Sequence, residues 1–326
     1  LTNSQIGGRR NIIINGAMQV AQRGTSASSK TSSDYFTCDR WRTEASGATY
    51  NTSQQTNSAS DMATTGAEHF LRMEVTTANN NSGISQKIEA RNIKQFKGEK
   101  LTVSFYAKGT NPNGGSFDLR RQFSDGVNPS ATRENTSFTV SSSWTKHTIT
   151  FDYPDEGSVD LTLNTAKMAL SFLQPDGDSS TNAWTLDLTS VQLEVGEQAT
   201  PFEHRSFGEE LALCQRYFYT SVPYGTTIQA GLNPAIYHSI KPYSAGYVVF
   251  NTQFPTMLRA TPTMTYYTTV NSNNGTGRIT YWASGWQNST VGVQTAHTSR
   301  TNVSGESNTS SSVGLVQYNI TADAEF

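Results

Sequence analysis

The sequence predicts an all-β protein, and three observations support this prediction. Short runs of alternating apolar and polar residues recur along the chain, separated by Gly, Asn, Asp, Pro and Ser. In the run 101–106, Leu, Val and Phe alternate with Thr, Ser and Tyr, as in a strand with one buried face. About nine such runs fall within the first two hundred residues, which is the strand density of a β-sandwich or jelly roll.

The composition indicates a folded chain and excludes several classes of function. Formal net charge is −2 and aromatic content is 10%, whereas disordered chains combine high net charge with few aromatic residues. The low charge also argues against nucleic acid as a partner. We expect no membrane insertion, since no apolar run approaches about 20 residues. The two cysteines, Cys38 and Cys214, lie far apart and are predicted to be small buried hydrophobic residues.

The N-terminal part supplies most of the predicted strands. Turn signals rich in Pro, Gly, Asn and Asp separate them, for example at 110–115 and 153–157. The predicted strands are 70–75, 84–90, 101–107, 117–123, 137–140, 146–151, 159–163, 168–173 and 184–193.

A helix is predicted at 207–219, the one segment that interrupts the β pattern. Ser206 is placed as its N-cap, and Glu209, three residues on, completes a capping box. Beyond the helix the sequence becomes rich in Tyr, Thr and Asn, so the helix marks a domain boundary.

The C-terminal part is predicted to be a second β-sandwich, and its tract 304–312 to be a mobile loop. Its predicted strands are 227–232, 245–250, 263–269, 278–283, 290–295 and 314–322. The predicted organisation is an N-terminal connector at 1–10, a jelly-roll domain at 11–205, a connector helix at 206–219 and a C-terminal domain at 220–326.

Several separated motifs in a fixed order give the chain a family resemblance. NIIINGAMQVAQRG occupies 11–24 and DRW follows at 39–41, while VQLEVG, ATPFEHR and EELALCQRYF occupy 191–196, 199–205 and 209–218. In this order they resemble a family of phage tail-fibre and related virion proteins. The resemblance implies a virion location, other virion proteins as partners and a homotrimer.

Residues 11–194 are also similar to jelly-roll carbohydrate-binding modules of the galactose-binding-like type. Such modules often hold a structural calcium, with a carboxylate shortly after the opening Asn-Gly. Here the corresponding stretch, 16–19, is Gly-Ala-Met-Gln, so no metal or other cofactor is expected. Asp187 on the final predicted strand remains a candidate oxygen ligand.

Two groups of residues are candidates for binding glycan. In the C-terminal domain they are Tyr281, Trp282 and Trp286, because flat aromatic side chains stack on sugar rings. In strand geometry Tyr281 and Trp282 face opposite ways, so one of these two is expected in the core.

In the first domain the candidates are Tyr106, Asp118 and Arg120, which alternate with apolar neighbours and so form a polar and aromatic sheet face. The alternative is a plain solvated face.

No catalytic constellation is recognised. The five histidines are scattered, no nucleophile elbow is present, and Asp152, Asp155 and Glu156 lie in a predicted turn. Asp39, Arg40 and Trp41 are interpreted as structural, with Trp41 in the core. The segment 202–210, although rich in charged residues, is interpreted as a structural hinge.

The sequence thus predicts a non-enzymatic phage tail fibre or spike that recognises a host cell-surface polysaccharide. The alternatives are a capsid-decoration or tail accessory protein without a ligand, and a capsule depolymerase.

Overall fold

The computed structural model describes residues 10–326 except 46, 78–80, 113–114, 176–181, 234–235, 241–246, 270–275, 283–285 and 307–313. At 238–240, 247–250, 281–282, 286–295, 302–306 and 314 it describes the backbone without the side chains. The chain folds into two compact units, Leu1–Glu210 with Phe326, and Leu211–Glu325.

The first unit is a sandwich of two antiparallel sheets, which confirms the predicted fold class. The six-stranded sheet has the order β1-β3-β4-β11-β6-β9 and the five-stranded sheet the order β2-β5-β10-β7-β8. The strands are β1 Ser26–Lys30, β2 Trp41–Glu44, β3 Thr49–Thr56, β4 His69–Thr77, β5 Gly83–Glu89, β6 Lys100–Thr110, β7 Phe117–Ser124, β8 Glu134–Phe138, β9 Thr145–Asp152, β10 Lys167–Leu173 and β11 Trp184–Val195.

The alternating pattern of the strands builds one core between these sheets. Phe105 of β6, Phe138 of β8 and Phe172 of β10 meet there, with ring centroids 4.9–6.1 Å apart. Trp41 and Trp184 are fully buried in the same cluster. The structural interpretation of Trp41 is therefore correct.

Several features of this unit differ from the sequence prediction, among them strands β1 and β3, which were not predicted. The predicted strand at 159–163 is a turn-containing loop, closed by a hydrogen bond from the Leu163 backbone N to the Asp160 O of 3.3 Å. The helix α1, Ala59–Thr65, was not predicted, although Ser58 caps it through the Asp61 backbone N.

The motifs at 11–24 and 39–41 pack against each other. The Asn15 side chain donates to the Val20 O at 2.8 Å and the Asp39 O at 2.9 Å. The indole of Trp41 donates back to the Asn15 O at 2.9 Å. These motifs are thus parts of one hydrogen-bonded structure.

The motif at 199–210 joins the same structure. Glu210 accepts a 2.6 Å bond from the Asn15 backbone N, and Arg205 lies 3.3 Å from Glu210. Arg205 also donates to the backbone O atoms of Asn11 and Ile13. The side chains of Arg205 and Glu210 are each only 5% exposed, so the charged residues at 202–210 have structural roles.

The helix α3, Phe207–Gln215, begins as predicted and ends earlier. Ser206 and Glu209 form the capping box through bonds of 3.3 and 3.4 Å. The predicted end at 219 is wrong, because Phe218–Thr220 forms strand β12. A further short helix, α2 at Ala90–Ile93, follows β5.

The second unit is built around its last strand. Its remaining strands are β13 Ile236–Ile240, β14 Tyr247–Gln253, β15 Thr263–Tyr267, β16 Arg278–Trp282, β17 Trp286–Ala296, β18 Arg300–Glu306 and β19 Gly314–Asp323. β19 pairs with β12, β13, β15 and β16. Tyr266, Tyr318 and Ile320 lie in the core of this unit. The predicted strand at 227–232 is not formed.

Both cysteines are free and buried, as predicted. Among the described residues, no helix is long and apolar enough to cross a membrane.

Candidate functional site

The sequence-predicted candidates of the first unit divide between its two sheets. Asp118 and Arg120 lie on β7 of the five-stranded sheet, whereas Tyr106 lies on β6 of the six-stranded sheet. The predicted single face containing all three is therefore wrong. The error arises because strands adjacent in sequence, β6 and β7, belong to opposite layers of the sandwich.

Tyr106 occupies the outer face of the six-stranded sheet. It is half-buried and lies opposite Lys146 in register, while its neighbours Phe105 and Ala107 face the core. Two residues on, the ammonium of Lys108 lies 4.6 Å from the ring centroid of Trp144. This face therefore carries aromatic and cationic groups, and it belongs to the sheet that does not contain Asp118 and Arg120.

The candidates of the second unit lie on β16 and β17. The strand register places Trp282 opposite Trp286 and Tyr281 opposite Gln287. The side chains of Tyr281, Trp282 and Trp286 lie outside the part of the chain that the structure describes.

One row of polar residues crosses the outer face of the five-stranded sheet. Register pairs link Arg42, Ser85, Ser171, Arg120 and Asn135, one residue from each of the five strands. Residues opposite one another on antiparallel strands project from the same face. Two of the three sequence-predicted candidates of this unit, Asp118 and Arg120, thus belong to a continuous polar surface.

We infer a depression in this surface, centred on Ser85 and Ser171 of its two central strands. On the outer face β5 and β10 present the small residues Gly83, Ser85, Ala169 and Ser171, with Leu173 opposite Gly83 and Lys87 opposite Ala169. Long side chains flank them on β2 and β7. Strands in a sheet are about 4.8 Å apart, so the flanking strands lie about 14 Å apart. We call this depression, with its flanking side chains, the trough.

Glu44 organises the β2 side of the trough. Its carboxylate accepts hydrogen bonds of 2.7 Å from Lys87 Nζ and 2.6 Å from Ser85 Oγ, and it also pairs with Arg42. Burial alone would raise the pKa of Glu44, but attraction to Lys87 and Arg42, together with the hydrogen bonds, lowers it below its ordinary value. Glu44 therefore carries a fixed negative charge between two cations.

Asp118 and Arg120 organise the β7 side through the side chains of β8. Asp118 accepts from Ser137 Oγ at 2.8 Å and from Asn135 Nδ2 at 3.2 Å. Arg120 donates to Asn135 Oδ1 at 3.2 Å and to Asn81 Oδ1 at 2.7 Å. The side chains of Asp118 and Arg120 are thus held in defined orientations.

The trough is recessed, and the expected alternative of a plain solvated face is wrong for these residues. Asp118 and Arg120 are 7% and 6% exposed, although they point away from the core. Arg42, at 26%, and the exposed Asn135 offer hydrogen-bonding groups to solvent above them. Polar groups fixed at this depth are suited to recognising a polar ligand.

Sequence reasoning missed Arg42, Glu44 and Lys87. Glu44 and Lys87 are 43 residues apart, and they meet because β2 pairs with β5. No local motif marks that pairing, since β2 contains only four residues.

The candidate calcium ligand Asp187 has another partner. Both of its carboxylate oxygens accept hydrogen bonds of 2.7 Å from the guanidinium of Arg72. Its proposed role as a metal ligand is therefore not supported. Within the described ranges, no group of three or more His, Cys, Asp or Glu side chains is placed to hold a metal ion.

No family model and no curated protein matches the sequence. Solved structures with partial similarity include the CBM22-1 xylan-binding domain of Xyn10C from Paenibacillus barcinonensis, with a TM-score of 0.33 and 13% identity over 59% of this chain and 100% of that domain. TmCBM61 in complex with β-1,4-galactotriose gives a TM-score of 0.30 and 12% identity over 58% of this chain and 100% of that one.

The enzymatically active domain of tailspike protein 4 from bacteriophage CBA120 gives a TM-score of 0.36 and 12% identity over 57% of this chain. The matched region spans only 21% of that tailspike domain. All three TM-scores are below 0.5, so none of these proteins assigns a function to this chain.

Proposed function

We propose that this chain is a non-catalytic virion protein, a tail fibre or spike component, whose first unit binds a host cell-surface glycan in the trough. The observation that carries the binding proposal is the row of polar side chains across all five strands, in which hydrogen bonds hold Arg42, Ser85, Arg120 and Asn135. Sugar hydroxyls both donate and accept hydrogen bonds, and the trough offers guanidinium, carboxylate, amide and hydroxyl groups in defined positions. Because these groups are already held by one another, little side-chain freedom is lost on binding.

The virion role is supported by the order of the sequence motifs that resemble phage fibre proteins. A homotrimeric fibre would present several copies of the trough, and each bound copy would raise the effective concentration for the next. Weak individual sites would then give firm attachment. We expect mass spectrometry to detect the chain in purified particles and not in mock preparations.

Glycan cleavage is not supported by the trough. Hydrolysis of a glycosidic bond requires two carboxyl groups about 5–10 Å apart, one of them protonated. Glu44 and Asp118 lie on strands about 14 Å apart, and the pKa of Glu44 is lowered rather than raised. We therefore expect no shortening of host polysaccharide after prolonged incubation with the protein, which separates this proposal from a depolymerase.

The binding proposal is tested by applying the purified chain to a glycan array and to intact host cells. Arg42→Met and Asn135→Ala are expected to weaken glycan binding at least about tenfold, since a hydrogen bond to a charged group contributes about 1.5–3 kcal/mol. Lys146→Met, on the opposite sheet, is the matched control and should bind normally. Absence of binding to both the array and the cells would instead favour an accessory protein without a ligand.

The second unit provides a separate arm of this test. Loss of binding in Trp282→Ala or Trp286→Ala, with Arg42→Met unaffected, would place the glycan site in the second unit and contradict the trough.

A further inference from the structure

A pocket of about 290 Å³ opens at the end of the trough where β5 stops. Along β5, Ser85, Lys87 and Glu89 project from the same outer face, because strand side chains alternate. Glu89 is also one of the pocket residues, so the pocket continues the line of the trough. It is lined by Glu89, Arg91, Lys94, Leu161, Thr162, Leu163, Asn164 and Ala166.

The pocket is pre-organised by its own hydrogen bonds. The guanidinium of Arg91 lies 3.1 Å from Glu89 Oε2 and donates to Asn164 Oδ1 at 2.6 Å. The Ala90 backbone N donates to the Ala166 O at 3.0 Å, which fixes the wall formed by 161–166. Arg91 is therefore oriented before any ligand arrives.

The buried carboxylate of Asp125 also stabilises this wall. Asp125 is fully buried and accepts a 2.7 Å hydrogen bond from the Asp160 backbone N. Asp160 in turn accepts from the backbone N and hydroxyl of Thr162, at 2.9 and 2.6 Å. The loop at 159–163, which was predicted to be a strand, is thus part of one wall of the pocket and is held in place by these hydrogen bonds.

The charged residues of the pocket lining that face solvent are cationic. The Arg91 side chain is 51% exposed and Lys94 is exposed, whereas the Glu89 side chain, at 3%, lies beneath them. Trough and pocket together carry five cations and three carboxylates, on a chain with a formal net charge of −2. These are Arg42, Lys87, Arg91, Lys94 and Arg120, against Glu44, Glu89 and Asp118. Asp125 and Asp160 add two carboxylates behind the wall, but the exposed charged residues that line the pocket, Arg91 and Lys94, are both cations and favour an anion at its mouth.

We propose that the pocket binds one sugar unit carrying an anionic group, a carboxylate, sulfate or phosphate, at the end of a glycan that lies in the trough. This inference rests on the proposed function and adds the class of glycan. The volume is at the small end of ligand pockets, which are about 300–1,000 Å³, and it fits a single ring. Arg91 and Lys94 bind the anionic group, Asn164 and Thr162 the hydroxyls, and Leu161 and Leu163 contact the apolar face of the ring.

The experiment uses a uronic-acid oligosaccharide that the array shows to be bound, and the same oligosaccharide after chemical reduction of its carboxylates to alcohols. Reduction is expected to weaken binding at least about tenfold, the equivalent of one charge-assisted contact. Arg91→Gln and Lys94→Gln should weaken binding of the acidic form and leave that of the reduced form unchanged. Lys94→Gln keeps the bond between Arg91 and Glu89, so it remains informative if Arg91→Gln destabilises the loop.

Lys97→Gln is the matched control, since Lys97 is exposed nearby, pairs with Glu156 and does not line the pocket. Sulfated and phosphorylated array glycans distinguish which anion is preferred. If the chain binds only neutral glycans, or binds acidic and reduced forms equally, the inference is overturned while the proposed function stands. If it binds no glycan, the proposed function itself fails.

Discussion

The ion pair between Arg205 and Glu210 provides the sharpest test of how the sequence motifs hold the first unit together. We predict that Arg205→Met lowers the free energy of unfolding by about 3–5 kcal/mol, the cost of leaving one member of a buried ion pair uncompensated. Glu210 stays buried in this variant and keeps the backbone N of Asn15 as its donor, at 2.6 Å. The backbone O atoms of Asn11 and Ile13 also lose a donor.

The measurement is urea unfolding of the full chain, followed by far-UV circular dichroism and tryptophan fluorescence. Trp41 is a local reporter because its indole donates to the Asn15 O. In Arg205→Met/Glu210→Gln no buried charge remains, so the double variant should recover about 1–3 kcal/mol of the loss.

Lys97→Met serves as the control, since Lys97 pairs with Glu156 and its own side chain is 69% exposed. An exposed pair contributes about 0–1 kcal/mol, so this variant should unfold almost like the parent. A loss below about 1 kcal/mol in Arg205→Met, or no recovery in the double variant, would refute the assignment of a structural ion pair.

Three further predictions follow from single residues. Gly16→Ala should destabilise strongly, because the new Cβ would lie 2.2 Å from a backbone oxygen, whereas Gly208→Ala, in helix α3 with open space, should be neutral or stabilising in thermal unfolding. Hydrogen bonds, from Asn128 first, lower the pKa of Asp125, so its stabilisation is complete above about pH 4 and is lost on acidification. The protection of the 160–166 amides, relative to their intrinsic exchange rates, should fall below that pH, and Asp125→Asn should reduce this dependence to the part contributed by Asp160, whose pKa is also lowered by hydrogen bonds from Thr162. Burial raises the pKa of Cys38, so iodoacetamide should label it only after unfolding.

Strands with a regular apolar alternation were predictable from sequence. β6, β7, β10 and β11 appear within a few residues of their predicted bounds because one face of each supplies the core. β3 was missed, since TYNTSQQT has a single aromatic residue and no apolar alternation. Its place in the sheet is fixed by pairing with β4 rather than by its own composition.

The trough was only partly predictable for the same reason. Asp118 and Arg120 could be found because they alternate with the apolar Phe117 and Leu119 on a clear strand. Their partners on β2 and β5 could not, because the registers that join five strands are set by long-range pairing. Proximity in sequence concealed that Tyr106 belongs to the other layer of the sandwich, because the consecutive strands β6 and β7 lie in different sheets.

The position of the last strand in each unit has a consequence for synthesis. β11 inserts between β4 and β6, and β19 pairs with four earlier strands. During synthesis the earlier strands of each unit therefore cannot complete their sheet. Their edges stay exposed until the central strand leaves the ribosome. Exposed strand edges pair with other chains. Fragments that stop before residue 184 or residue 314 should therefore accumulate as aggregates. In the complete chain the sheets of each unit form in one late step, when the central strand pairs with its neighbours.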